Sequence, residues 1–214
     1  MEYLVTMTTH VPDGTSQQAV DAVRVREAAR SRELAEQGHL LRLWRPPLQP
    51  GQWRTLGLFA ADNDGQLEAL LASMPLRVWR TDEVTPLMPH PNDSALPGAD
   101  SMPGSHGNSH QAEKAAEFLT TFTIVVPAGT PAQAVDEAEA REAQRASELA
   151  RQGRLLRLWN LPSEPGRKRA LGLWRTRDAA EMQAILASLP LDAWMTVQTT
   201  PLTPHPNDPA INTG

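Results

Sequence analysis

Residues 38–45 read GHLLRLWR, and residues 153–160 read GRLLRLWN. Each stretch is a glycine followed by a short apolar run, which is typical of a helix end that leads into a β-strand. The correspondence extends outward without a gap, so that residues 2–93 (the first repeat) match residues 117–208 (the second repeat) at a constant offset of 115. A repeat of this length is a compact domain rather than a solenoid unit, so we expect two fused copies of one fold.

Composition narrows the possible functions. The chain has 214 residues and a net charge of −5, with acidic and basic residues mixed and no basic stripe, which argues against nucleic acid as a partner. The absence of cysteine excludes thiol catalysis and thiolate metal sites. The N-terminus does not resemble a signal peptide, and no stretch approaches the roughly 18 apolar residues of a membrane span. We therefore expect a cytoplasmic protein that does not bind membranes.

Within each repeat the pattern predicts a strand, a helix, two strands, a helix and a strand. The first helix of each repeat is expected to be capped by Thr15 or Thr130, with Pro131 at the first helical position of the second copy. The βαββαβ order predicts an α+β fold of two tandem ferredoxin-like domains that pack as a pseudo-dimer of the dimeric α/β-barrel type. The expected first strands span residues 3–11 and 118–126, the second helices residues 64–73 and 179–188, and the last strands residues 79–85 and 194–200.

These elements set the domain boundaries. We expect a first domain at residues 1–93, a flexible linker rich in Ser, Gly and Pro at 94–115, a second domain at 116–208, and a tail at 209–214. His106 and His110 in the linker have a spacing that could hold a metal on a helix. Because Gly107 lies between them, we expect no helix there and predict no metal site.

One carboxylate in each repeat occupies an unusual position. Glu27 and Glu142 lie in the middle of the apolar stripe of the first helix, where a charge is costly unless it is paired or its pKa rises. One interpretation is architectural, with Arg42 and Arg157 as ion-pair partners. The other is a pocket for a small carboxylate, in which the arginine binds the anion and the glutamate moves a proton.

Each repeat closes on a histidine between two prolines, His90 and His205. The flanking prolines fix an extended backbone, which either anchors the tail or delivers the imidazole to a pocket. Four tryptophans at equivalent positions are expected in the core or an interface: Trp44, Trp79, Trp159 and Trp194.

Together these features resemble the muconolactone Δ-isomerase family. The resemblance rests on a first strand ending in Pro, a helix with an inward Glu, the segment at 38–45, a second helix ending in Leu/Met-Pro-Leu, and the closing His90-Pro91. It covers each repeat almost end to end. It implies ferredoxin-like chains that form oligomers with pockets at subunit contacts. It also implies a reaction without metal or organic cofactor, in which a proton shift converts muconolactone to 3-oxoadipate enol-lactone in aromatic-compound degradation.

The resemblance implies that Glu27 and Glu142 are the catalytic bases. We expect the substrate to be a small carboxylated metabolite and the two-domain chain to form a homo-oligomer. Two alternatives remain open, a non-catalytic ligand-binding or structural module and a cofactorless oxygenase of the same fold. The two sites are expected to be unequal, since Arg24, Arg45 and Trp53 become Glu139, Asn160 and Lys168. The residues expected to bind the substrate are Arg42, Arg157, His90 and His205.

Overall fold

The computed structural model describes residues 1–94 and 115–211. Most of the predicted linker, including His106 and His110, and residues 212–214 of the predicted tail lie outside the described residues. The described part contains four α-helices and eight strands whose pairings are all antiparallel. This arrangement confirms the α+β class.

The first repeat has the predicted βαββαβ order, and its strands are arranged in the order β4-β1-β3-β2. Its elements are β1 (Glu2–Thr9), α1 (Gln17–Glu36), β2 (Leu40–Arg45), β3 (Arg54–Ala60), α2 (Asp64–Ala72) and β4 (Arg80–Pro89).

The second repeat has the same order, with its strands arranged β8-β5-β7-β6. Its elements are β5 (Ala116–Ile124), α3 (Ala132–Arg151), β6 (Leu155–Asn160), β7 (Lys168–Thr176), α4 (Ala179–Ala187) and β8 (Met195–Pro204).

The compact units of the chain do not coincide with the two repeats. The first unit consists of Met1–Leu87 and Thr203–Gly214, and the second consists of Met88–Leu202. In the first unit, the last two residues of β8 pair with β2. In the second unit, the last two residues of β4 pair with β6. Each unit therefore contains the main part of one repeat and the closing residues of the other.

The helix starts differ slightly from the predicted ones. Ser16, rather than Thr15, caps α1, because its hydroxyl accepts a hydrogen bond from the helix backbone at 3.2 Å. Pro131 occupies the cap position of α3 and makes no side-chain bond there, so its prediction at the first helical position was wrong by one residue. Gly38 follows α1 with φ of 76°, which confirms the left-handed residue expected at that helix end.

The last strand of each repeat starts later and runs further than the sequence predicted. A short 3-10 helix, Pro75–Trp79 in the first repeat and Asp192–Trp194 in the second, precedes it. The strand then continues through the prolines of the closing segment to Pro89 or Pro204. The longer strand ends directly before the closing histidine, His90 or His205.

In both units the core lies between the sheet and the helices. In the first unit, Tyr3, Val5 and Met7 alternate on the helix-bearing face and belong to one buried cluster with Leu34. A matching cluster in the second unit contains Phe118, Phe122, Leu149 and Trp174. In the described residues, no helix combines the length and apolar character needed to cross a bilayer.

Two of the four tryptophans expected in the core or an interface are fully packed. Trp44 is 1% exposed and Trp159 is 2% exposed. Trp79 and Trp194 are partly exposed, and Trp194 borders a cavity of the second unit.

Candidate active site

A cavity of about 430 Å³ lies beside α1 in the first unit, on the helix-bearing face of the sheet. We call it the first cavity. Its wall combines apolar strand residues with charged, hydroxyl and aromatic side chains. These side chains include Thr9, Arg24, Glu27, Ser31, Arg45, Trp53, Thr55, Arg80 and His205.

Glu27 lies in the wall of the first cavity and is only 8% exposed. Its Oε2 accepts a hydrogen bond from the backbone N–H of Leu76 at 2.8 Å, and its Oε1 lies 3.2 Å from Nη1 of Arg80. Burial raises the pKa of Glu27, although the Leu76 N–H and the positive charge of Arg80 act in the opposite direction. The carboxylate is therefore a stronger base than an exposed glutamate.

Arg80 is the charged partner of Glu27, and it was not among the residues predicted from the sequence. Arg80 is 8% exposed, and its Nε donates to Asp82 at 2.6 Å. Comparing the repeats could have found it, because the equivalent residue of the second repeat is Met195. An arginine replaced by an apolar residue at a buried strand position marks a place where the two sites differ.

His205, from the end of the second repeat, also lines the first cavity. Its Nδ1 accepts a hydrogen bond from the backbone N–H of Asn207 at 3.1 Å, so the neutral ring carries its proton on Nε2. Burial and the nearby Arg45 lower the pKa of His205 to about 4, although Asp208 acts in the opposite direction. At neutral pH the imidazole is an uncharged hydrogen-bond donor.

A second cavity, of about 380 Å³, occupies the equivalent place beside α3 in the second unit. Glu142 lines it and accepts a hydrogen bond from the backbone N–H of Leu191 at 3.0 Å. Met195 stands where Arg80 stands in the first repeat, and Glu142 has no ion-pair partner among the described residues. Burial raises the pKa of Glu142, and only the Leu191 N–H opposes this effect.

His90 lies in the wall of the second cavity, as His205 lies in the wall of the first. Its Nδ1 accepts a hydrogen bond from the backbone N–H of Asn92 at 3.1 Å, so that its Nε2 also carries the proton in the neutral ring. Burial lowers the pKa of His90, helped by Lys168 and opposed by Asp93. Each histidine predicted from the sequence therefore lies with the glutamate of the other repeat.

The expected pairing of Glu27 with Arg42 is wrong. Arg42 makes a bidentate contact with Asp208, with Nη2 at 3.0 Å from Oδ2, and its guanidinium stacks on Trp44 at 4.7 Å. A bulge between Leu40 and Arg42 fixes this register, and alternation then directs Arg42 and Trp44 away from the face that carries α1.

Arg157 repeats this arrangement in the second unit. It pairs with Asp93, with Nη2 at 3.2 Å from Oδ2, and stacks on Trp159 at 4.8 Å. Neither Arg42 nor Arg157 lines the first or the second cavity. Both arginines thus lie outside the walls of the two cavities, and their role in substrate binding stays a prediction. Their visible contacts hold the closing segments, since Asp208 and Asp93 each follow a cavity histidine by three residues.

The chemistry available in each cavity is proton transfer beside an uncharged donor. A carboxylate of raised pKa can remove and return a proton, and the Nε2–H of a neutral histidine can hydrogen-bond an oxygen that gains negative charge. In residues 1–94 and 115–211, no three His, Asp or Glu side chains are grouped so as to hold a metal ion.

Comparison with known proteins gives one family. The family model described as muconolactone delta-isomerase matches residues 1–93 and 116–208. Muconolactone Delta-isomerase 1 of Acinetobacter lwoffii is 29% identical over 92 residues, which cover 43% of this chain and 93% of that protein.

Solved structures share the fold at low sequence identity. A heme-binding protein from Thermus thermophilus has a TM-score of 0.55 and 12% identity, covering 97% of this chain and 93% of that one. Chlorite dismutase from Candidatus Nitrospira defluvii, in complex with imidazole, has a TM-score of 0.51 and 11% identity, covering 95% of this chain and 91% of that one. These similarities show the fold alone. Because the family model matches both repeats, the chain belongs to the muconolactone delta-isomerase family and contains its domain twice.

Proposed function

We propose that the protein is a cofactor-independent isomerase that moves a proton and a double bond within a small carboxylated lactone, muconolactone or a close relative. The observation that carries this proposal is a glutamate of raised pKa in the wall of a metabolite-sized cavity in each unit, with Glu27 buried and Glu142 half-buried. Family membership supports it.

The reaction needs one base that acts twice. The carboxylate of Glu27 or Glu142 takes a proton from an acidic ring carbon of the lactone, and the electron pair of the broken C–H bond delocalises into a dienolate. The resulting carboxylic acid returns the proton to a different carbon of the same system, which shifts the double bond. Atoms and electrons balance without any oxidant, reductant or second substrate.

The neutral histidines suit the charge that develops during this step. The lactone carbonyl oxygen becomes negative in the dienolate, and the Nε2–H of His205 or His90 can donate to it. An uncharged donor is well matched to this task, because it leaves the pKa of the nearby glutamate high. A charged neighbour lowers that pKa and weakens the base, as Arg80 does for Glu27, although burial still leaves the pKa of Glu27 raised.

A second candidate function is a non-catalytic ligand-binding module. The contact of Glu27 with Arg80 and the Leu76 N–H favours it, since this arrangement also joins α1 to the 3-10 helix and β4. The absence of an ion-pair partner for Glu142 in the described residues favours catalysis instead, because a structural carboxylate would retain its arginine.

Turnover of muconolactone, followed by ultraviolet absorbance, tests the proposal. We expect the native chain to isomerise the lactone, and we expect a Glu27→Gln, Glu142→Gln double variant to lose at least about 100-fold in rate, as for removal of a general base. Each single variant measures how much one cavity contributes to the rate of isomerisation. Glu36→Gln, on the exposed side of α1, is the matched control and should retain full activity. No turnover by the native chain, or full turnover by the double variant, would contradict the proposal.

A further inference from the structure

The walls of the two cavities differ in a consistent direction. The glutamate and the closing His-Pro-Asn segment are kept, while the polar wall residues around them change. Three hydroxyl positions of the first cavity become apolar in the second. These changes are Thr9 to Ile124, Ser31 to Ala146, and Thr55 to Ala170.

The charges of the two walls also differ. The first cavity has three arginines and one glutamate, whereas the second has one lysine and two glutamates. The lysine of the second cavity, Lys168, is neutralised by Glu139, with Nζ at 2.5 Å from Oε1. Counted over the lining residues alone, the first wall is net positive and the second is net negative. Arg80 is paired with both Glu27 and Asp82, so the excess positive charge of the first wall lies on Arg24 and Arg45.

Two arginines of the first cavity are not neutralised by its glutamate. Arg24 stacks over Trp53 at 4.6 Å and reaches Asp21 only at 3.5 Å, between exposed side chains. Arg45 has no ion-pair partner in the described part of the chain. Its positive charge contributes to lowering the pKa of His205. Exposed pairs such as Arg24–Asp21 are weak, so both guanidinium groups are available to an anion.

Ser31 adds an unused hydrogen-bonding group to the same wall. It is 1% exposed, and its hydroxyl is the one buried side-chain polar atom in the described residues without a hydrogen-bond partner. A buried hydroxyl without a partner costs free energy, which a ligand oxygen could recover. The equivalent Ala146 offers no such group.

The second cavity has aromatic walls instead. Phe122, Trp174 and Trp194 line it, and the indole N–H of Trp174 is already bonded to Thr120 at 2.7 Å. With Met195 in place of the buried arginine, this wall offers a ligand mainly apolar contact.

We propose that the two cavities bind different chemical classes of ligand. The first binds a small carboxylate, which Arg45 and Arg24 attract and to which Ser31 donates a hydrogen bond. The second prefers an uncharged, largely apolar molecule of similar size, so that the first cavity carries most of the turnover of a carboxylated lactone. This inference goes beyond the proposed function, because it concerns binding at each cavity and requires no turnover.

Fluorine NMR of the full chain labelled with fluorotryptophan can test each cavity separately. The chain has six tryptophans. Trp53 lines the first cavity, while Trp174 and Trp194 line the second, and Trp→Phe variants assign their resonances. The probes are a saturated carboxymethyl-lactone and its methyl ester, which share one skeleton, differ in charge and have no double bond to move. We expect the acid to shift the Trp53 resonance at lower concentration than the ester, and we expect the reverse for Trp174 and Trp194.

Reciprocal variants sharpen the test. Arg45→Asn should weaken acid binding at the first cavity about tenfold or more, as for loss of a charged hydrogen bond. Asn160→Arg should strengthen acid binding at the second cavity. Arg26→Asn removes the same charge from an exposed position of α1 outside the cavity wall and should change neither. If Arg45→Asn does not fold, Ser31→Ala, which copies the second repeat, replaces it.

Three results would overturn the proposal. Equal affinity of both probes at both cavities would show that the wall charges do not select ligands. A reversed preference would show that the assignment is inverted. Failure of both probes to shift any of the three assigned resonances would show that neither cavity binds ligands of this kind. None of these outcomes depends on isomerase activity, so failure of this inference is distinguishable from failure of the proposed function.

Discussion

Glu27 and Glu142 are equivalent in sequence but differ in their electrostatic surroundings. Arg80 and the Leu76 N–H stabilise the charged form of Glu27, whereas only a backbone N–H does so for Glu142. A single exchange of arginine for Met195 accounts for much of the difference. The second repeat therefore retains a half-buried carboxylate without an arginine to compensate its charge.

Replacing Glu142 by Gln should stabilise the protein at alkaline pH. Burial raises the folded-state pKa of Glu142 above 4.5, so the stability associated with its protonated form is present below that value and is lost as pH rises through the folded pKa. Glutamine stays neutral and avoids this loss. We expect the variant to resist urea better than the native chain at pH 8, with a smaller difference at pH 4. Glu137→Gln, at an exposed position of α3, is the control and should show no such trend.

His205 should remain uncharged across the physiological range. Its pKa is lowered from 6.5 to about 4, so the folded state favours the neutral ring, and the associated stability is lost as pH falls from 6.5 towards 4. We expect an NMR titration to place the midpoint near 4 in the folded chain. A free peptide of residues 203–208 should titrate near the ordinary histidine value. A midpoint near 6.5 in the folded chain would show that the ring is not buried in the cavity wall.

At the scale of single elements, β2 serves two purposes on its two faces. Leu43 and Arg45 face the cavity, while Arg42 holds Asp208, which also accepts a hydrogen bond from the Leu43 N–H at 3.0 Å. Asp208 is fully buried. The strand thus fixes the segment that delivers His205, so we regard Arg42 as a positioning residue.

Strand β3 depends on Gly57 for close packing. A Cβ at this position would lie 2.5 Å from the Phe59 ring and 2.9 Å from the Met7 side chain. We expect Gly57→Ala to destabilise the protein by about 1–3 kcal/mol, as for an overpacked core, measured by urea unfolding. A Gly57→Ala, Phe59→Leu double variant should recover part of this loss, because the smaller side chain leaves room for the methyl group. Equal stability of Gly57→Ala and the native chain would show that the ring moves aside freely.

At the scale of the whole molecule, each unit needs the closing residues of the other repeat. The first unit takes His205 and Asp208 from the second repeat, and the second unit takes His90 and Asp93 from the first. Neither cavity can therefore be completed by one repeat alone.

A chain that ends at Leu202 should lose structure selectively. Removing residues 203–214 deletes the strand pairing of β2 with Thr203 and Pro204 and leaves Arg42 without Asp208. We expect faster hydrogen exchange by mass spectrometry in β2. Strand β6 is the internal control, because its corresponding contacts with Met88, Pro89 and Asp93 remain in the truncated chain. Equal acceleration in β2 and β6 would contradict the assignment of the closing residues to separate units.

Much of the fold could be predicted because short stretches of sequence encode it. The Gly38 turn, the apolar alternation of each strand and the inward position of Glu27 follow from φ preference and side-chain periodicity, which depend on neighbouring residues only. The site was harder to predict. A bulge before Arg42 changes which side chains share a face, and Arg80 reaches Glu27 across 53 residues of chain.

The sequence by itself therefore determined the duplication, the βαββαβ order, the family resemblance and the two inward glutamates, since each depends on local pattern or on comparing the repeats. The tertiary structure alone decided which groups surround each glutamate. Arg80 pairs with Glu27, Arg42 pairs with Asp208, and each histidine joins the glutamate of the other repeat. The physical reason is that ion pairing and cavity formation depend on distances between residues far apart in the chain, which strand register and the course of the closing segments set only in the folded molecule.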